Sequence, residues 1–222
     1  MTHKTEPKTT DDMVFSSKGI KNIVQDILCQ NYPFPRKGGK NSLLLFGVPG
    51  TGKSTYAEVF LNDFERTFGG SNPPVHTTDC QKTQNITRIL STCNAIADKA
   101  GVFTDSGLHY FIFDEVDNLT TDGQRALKSF LNRDRIVCVL TTNYLHKIDE
   151  GLKSRCVQLN FNAAKEADCI GRFKKVLVDN QLPLLPDIVL REIAKSNNGD
   201  WREMMPTSIW AAKADEKMTL AA

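Results

Sequence analysis

The stretch "GVPGTGKST", residues 47 to 55, constrains this chain more than any other. Gly47, Gly52, Lys53 and Ser54 satisfy the pattern G-x-x-x-x-G-K-[ST]. The stretch follows the apolar run "SLLLF" and precedes a helical pattern, and that strand, loop and helix context is what the motif requires. Glycines let backbone N–H groups turn toward phosphate oxygens, a lysine here reaches the β and γ phosphates, and the hydroxyl serves Mg²⁺. Gly47, Val48, Pro49, Gly50, Thr51, Gly52, Lys53, Ser54 and Thr55 therefore form the expected nucleotide-binding loop, with ATP and Mg²⁺ as ligands.

Apolar runs recur at "YFIFDE" (110 to 115) and "IVCVLTTN" (136 to 143), with weaker strand candidates at "PVHTTD" and "CVQLNF". Helical patterns lie between them, the first from Ser17 to Asn31, where Ile20, Ile23, Val24, Ile27 and Leu28 make one stripe. Strands alternating with helices predict an α/β fold with a mainly parallel sheet, whose functional groups collect at the carboxyl ends of the strands. After Phe161 only helical patterns remain, broken at "QLPLLPD" and "SNNGD". The expected organisation is a nucleotide-binding α/β domain over 1–162 and a small helical lid over 163–222.

Composition excludes several classes. The 222 residues carry 40% apolar and 24% charged side chains, ordinary for a folded globular chain. Lys+Arg 28 against Asp+Glu 26 gives no strong cationic field, so a nucleic-acid surface has to be local. The six cysteines form no Cys-x-x-Cys pair, and reduced, mostly buried thiols are expected. With no apolar leader and no long apolar run, the expectation is a cytoplasmic protein without a membrane partner.

"YFIFDEVD" supplies the second half of the site. Asp114 at a strand end can bind the metal, directly or through water, and Glu115 can orient or deprotonate an attacking water. Asp117, further into the turn, reads as a helix cap. The next strand ends in "TTN", putting Thr141, Thr142 and Asn143 on the same rim. The amide of Asn143 can hold the attacking water or touch the γ-phosphate there.

Together "GVPGTGKST", "FIFDEVD", "TTDGQRALKSFLNR", "LTTN", "LKSRCVQLNF" and "GDWREMM" resemble the AAA+ ATPases of the clamp-loader group, particularly small subunits of phage and replication factor C type loaders. The resemblance covers nearly the whole chain. It implies that Arg155, in the Ser154-Arg155-Cys156 triplet, points to the γ-phosphate bound by an adjacent subunit. Guanidinium suits that work because it is permanently charged and makes forked contacts with phosphate. Pairing with a local carboxylate is the alternative role for Arg155.

The resemblance further implies that Arg202 contacts phosphate in cis and couples lid orientation to the nucleotide state. "TEPKTTDDMVF" is expected beside the adenine. Lys82, Thr83 and Arg88 are candidate DNA phosphate contacts, and Gln124 and Lys128 are expected to couple a DNA chamber to Glu115. Other AAA+ subunits, primer-template DNA and a sliding clamp are the implied partners, in a bacterial or phage-infected cell. The chain leaves no room for the collar domain of such loaders, and Glu6-Pro7-Lys8 stands where they often carry Tyr-Arg-Pro. A nucleotide-switched adaptor that assembles on DNA or on a protein partner is therefore the alternative function.

Overall fold

The computed structural model describes residues 4–36, 39–81, 86–99 and 104–220. Helix α1 (Lys18–Leu28) starts where the Ser17 hydroxyl accepts the Ile20 N–H, and its stripe buries Val24 and Ile27. Among the described residues, five strands form one parallel sheet: β1 (Ser42–Phe46), β2 (Val75–Asp79), β3 (His109–Asp114), β4 (Ile136–Thr142) and β5 (Cys156–Asn160), in the order β2-β3-β4-β1-β5. Leu43 pairs with Val139 across β1 and β4, and Ile112 pairs with Val139 across β3 and β4.

Strand alternation sends each central strand into two cores. Leu43, Leu45, Tyr110, Ile112, Val137 and Val139 pack on one face with α1 and with α2 (Lys53–Arg66). Leu44, Phe111, Phe113, Cys138 and Leu140 pack on the other with α3 (Ile86–Ala97) and α4 (Thr121–Phe130). Each large apolar side chain buried this way contributes about 1.5–3 kcal/mol. The edge strand β2 is only partly covered, and its polar composition explains its weaker sequence signal.

One carboxylate is built into this scaffold. Glu65 of α2 is buried, yet it accepts hydrogen bonds from the Ser106 and Tyr110 hydroxyls and from the Asp105 and Ser106 N–H groups. Burial opposes its charge, but these donors outweigh burial and hold its carboxyl below the usual range. The bonds fix the C-terminal half of α2 to the start of β3, and so steady the helix that grows from the phosphate loop.

A third core gathers α6 (Glu166–Asp179), α7 (Asp187–Ser196) and α8 (Trp201–Leu220) around Phe173, Leu177, Leu190 and Met204. It meets the sheet rim where the Trp201 N–H donates to the Gly50 carbonyl at 2.9 Å. The start of α8 is thereby seated on the phosphate loop. All six cysteines are free; five are buried, and Cys29 is exposed. Among the described residues no helix is long and apolar enough to cross a membrane.

Candidate nucleotide site

Parallel pairing brings the ends of β1, β3 and β4 to one rim, and a cavity of about 650 Å³ opens there between the sheet and α8. Two glycines explain how the loop fits beneath it. A Cβ on Gly47 would lie 2.6 Å from the Phe161 carbonyl, and one on Gly50, at φ 77°, would lie 2.2 Å from the Asp200 carboxylate. Pro49, Gly50, Gly52, Lys53, Ser54 and Thr55 line the cavity. Gly47, Val48 and Thr51 shape the loop behind them, with the Thr51 hydroxyl donating to the Val48 carbonyl and Val48 N–H to the Asn162 side chain.

Lys53 is 8% exposed, and its ammonium donates to the carbonyls of Gly47 and Val48 at 2.9 and 2.8 Å. Burial is the main cause that brings its pKa down to about 8; Asp114 opposes the fall and the nearby charge of Arg202 adds to it. The Ser54 hydroxyl lies 3.0 Å from both oxygens of Asp114, which also accepts from the Thr141 hydroxyl. A hydroxyl beside a carboxylate is the hard oxygen chemistry that Mg²⁺ takes, so this pair fits the ion.

Glu115 follows with φ 55°, a left-handed turn that places its side chain on the cavity wall, and Asn118 donates to its carboxylate at 3.3 Å. The Thr141 hydroxyl also accepts the Glu115 N–H at 2.9 Å, so one threonine sets the positions of both acids. Sequence reasoning put Thr141 on this rim without giving it that work. Asn143 lines the cavity too.

Asp117 does not cap a helix, contrary to the sequence expectation. It lies within a short 3-10 turn, Val116–Asn118, and accepts from the Thr142 hydroxyl at 2.7 Å and the Asn143 N–H at 3.2 Å. The reason is the parallel register: β4 ends beside β3, and its free N–H and hydroxyl find the carboxylate across the gap.

The helical unit supplies the opposite wall. Arg202, Met205, Pro206, Ile209, Trp210 and Lys213 all line the cavity, one stripe of α8 at helical spacing. Arg202 lines the cavity near enough to Lys53 for its charge to act on that lysine. Trp210 is 72% exposed despite its size. The sequence marked the region after Phe161 only as helical, and nothing in it said that one face of α8 lines a cavity while Met204 and Ala212 join the helical core.

Arg155 lies elsewhere. It follows α5 (Glu150–Lys153) and lines a separate cavity of about 270 Å³ with Arg36, Asn132 and Arg133. Its guanidinium donates to the Asn132 side chain at 2.6 Å and to the Gly151 carbonyl at 2.8 Å. Among the described residues these acceptors, with the Ser154 hydroxyl at 3.5 Å, are neutral, so no carboxylate pair takes up its charge.

Gln124 and Lys128 have a different destination from Glu115. The buried Gln124 accepts the Asp149 N–H at 2.8 Å and donates to the Lys147 carbonyl at 3.0 Å; the Lys128 ammonium lies 3.7 Å from the Asp149 carboxylate. Asp149 in turn caps α5 through the Gly151 N–H. These side chains thus tie α4 to the segment that holds Arg155. Arg88 is exposed in the first turn of α3, whereas Lys82 and Thr83 lie outside the described residues.

A phosphate loop, an acidic strand end and a helical wall on a parallel sheet define a P-loop nucleoside-triphosphate-binding protein. The family described as "ATPase family associated with various cellular activities (AAA)" matches residues 43–162, and the chain belongs to it. It is 28% identical over 220 residues to the replication factor C small subunit of Staphylothermus marinus, covering 98% of this chain and 63% of that protein. It is 26% identical over 215 residues to replication factor C subunit 3 of Saccharomyces cerevisiae, covering 92% and 62%. The chain thus spans less than two thirds of these relatives' length. A RuvB mutant from Thermotoga maritima superimposes with a TM-score of 0.69 at 17% identity, covering 98% of this chain and 68% of that one, a likeness of fold.

Proposed function

We propose that this chain is an ATP-hydrolysing subunit of a clamp-loader-like AAA+ ring that acts on DNA in replication. The observation that carries the reading is the division of the cations. Lys53 and Arg202 stand at the nucleotide cavity, while Arg155 stands outside it on neutral acceptors. A site that recruits Arg155 from a neighbour depends on assembly.

In this reading Lys53 and the loop N–H groups bind the β and γ phosphates of ATP. Ser54 and Asp114 would hold Mg²⁺, which would supply positive charge against the phosphates. Glu115 orients the attacking water and takes its proton, and Asn143 positions that water or reads the γ-phosphate. Arg202 contacts phosphate from within the chain, so that residues 163–222 act as a lid on the α/β domain of residues 1–162. Arg155, an arginine finger, completes the adjacent subunit's site.

Similarity to replication factor C small subunits supports primer-template DNA as the partner, with a sliding clamp as the load and the cytoplasm as the setting. Arg88, Lys82 and Thr83 are the proposed phosphate contacts, and the tie from α4 through Asp149 to Arg155 offers a route by which DNA acts on hydrolysis. The test is the steady-state ATPase rate per subunit against protein concentration, with and without primer-template DNA. The rate should rise with concentration and again with DNA. A rate indifferent to both would overturn the ring reading in favour of an adaptor that switches with nucleotide alone.

A further inference from the structure

The polar segment 4–15 crosses the rim of the nucleotide cavity and holds both units at once. On the α/β side the Thr10 N–H donates to the Asp63 carboxylate of α2 at 2.6 Å, and the Phe15 ring meets Tyr56 and Phe161 edge-on at 5.3 and 5.8 Å. On the helical side Arg172 of α6 donates to the Thr5 carbonyl at 2.6 Å, and Lys4 and Asn180 exchange hydrogen bonds of 2.9 and 3.1 Å. Thr5, Glu6, Pro7, Met13 and Val14 line the cavity between these anchorages.

Asp12 joins the two halves of this arrangement. One carboxylate oxygen accepts the Lys8 and Thr9 N–H groups at 3.0 and 3.3 Å, which folds the segment into a loop. The other faces α6, where it meets the Lys175 ammonium and lies 3.6 Å from the Arg172 guanidinium. Asp12 and Arg172 each keep only 8% of the side chain exposed, so this pair is shielded from the screening that weakens surface ion pairs. Burial alone would raise the Asp12 carboxyl; Lys175, the Lys8 N–H and Arg172 outweigh it and bring it down to about 2.

We infer that residues 4–15 are a strap holding the helical unit over the nucleotide cavity, with Asp12 as the positioning residue that sets how firmly nucleotide is retained. The inference rests on the cavity being the nucleotide site. A nucleotide touching both walls binds only the closed arrangement, so its apparent Kd rises in proportion as the closed fraction falls. Releasing the strap therefore weakens retention of ADP and ATP alike, because either nucleotide touches both walls.

Two variants remove the cross-unit charge pair from opposite sides. Asp12→Asn keeps an oxygen for the Lys8 and Thr9 N–H groups but loses the charge; Lys175→Met alters a half-exposed side chain on α6. Each should raise the Kd for a fluorescent ADP analogue about three- to tenfold, with the loss in ATPase falling on KM rather than kcat. The double variant should be little worse than Asp12→Asn alone, since that change already removes the partner of Lys175. Amide exchange over residues 4–15, measured without nucleotide, should quicken in both. Unchanged Kd and unchanged exchange in both folded variants, or Kd effects that multiply fully in the double variant, would overturn the strap. A wild-type chain that fails to bind the analogue while the strap's exchange still responds would defeat the cavity assignment, and the retention role with it.

Discussion

Lys53 and Arg155 are both cations held by main-chain carbonyls, yet their surroundings differ in kind. Lys53 is buried, and the charges of Asp114, Glu115 and Asp117 offset part of the cost of that burial within the chain. Arg155 rests on the Asn132 amide, the Gly151 carbonyl and the Ser154 hydroxyl, which orient a guanidinium without neutralising it. Neutral acceptors leave most of the electrostatic attraction available to an anion. In the proposed reading, the contrast separates a site around Lys53 that is completed within the chain from an Arg155 that serves a site held by a neighbouring subunit.

Changing Arg155 breaks that comparison with the largest effect. Arg155→Ala should lower turnover in the assembled state by about 10³-fold or more, the range of trans arginines in other nucleotide hydrolases. Nucleotide binding by the same subunit should stay close to wild type, because Arg155 is absent from the lining of its own cavity. Equilibrium binding of a non-hydrolysable ATP analogue beside the steady-state rate separates the two effects. A matched loss of binding and rate would return Arg155 to a local role.

Gln124 sharpens the comparison by asking what holds the outer half in place. Gln124→Met keeps the bulk of the side chain but leaves the Asp149 N–H and the Lys147 carbonyl without their partner. Unpaired buried polar groups cost about 1–3 kcal/mol, so the thermal midpoint should fall. DNA stimulation of the ATPase should fall with it, while the Kd for ADP should not change. Normal DNA stimulation in a destabilised variant would confine Gln124 to a structural role.

The inner half makes the smallest prediction, one of pH. Lysine carries charge below its pKa, and Lys53 stands at about 8 through burial. Bound phosphates favour its charged form, so ATP affinity should be flat below pH 8 and fall as pH rises above it. The loss should approach about tenfold per unit at most. Isothermal titration calorimetry from pH 7 to 9.5 would show it. Affinity unchanged across that range would mean that Lys53 is not the group whose charge the phosphates need.

These two halves were unequally legible in the sequence. The inner one follows from fixed spacing next to strands whose apolar runs, at β1, β3 and β4, are buried on both faces. Strands β2 and β5 gave weaker signals because they lie at the sheet edges. Asp117 was misread because a cap and a bridge between strand ends use the same carboxylate; only the pairing of β3 with β4 distinguishes them. The destination of Gln124 was equally hidden, since Lys147 and Asp149 lie more than twenty residues away along the chain. The strap was least legible: its residues have no apolar period, and its bonds reach α2 and α6, 53 and 167 residues further along the chain.

The most direct test of the division between Lys53 and Arg155 mixes two inactive chains. Glu115→Gln subunits keep the finger and Arg155→Ala subunits keep the catalytic acid, so each preparation alone should turn over poorly. Co-assembled, they should regain ATPase activity that peaks near equal proportions, at junctions pairing an intact Glu115 with a neighbour's intact Arg155. Absence of recovery at every ratio, with co-assembly demonstrated, would contradict a finger acting between subunits.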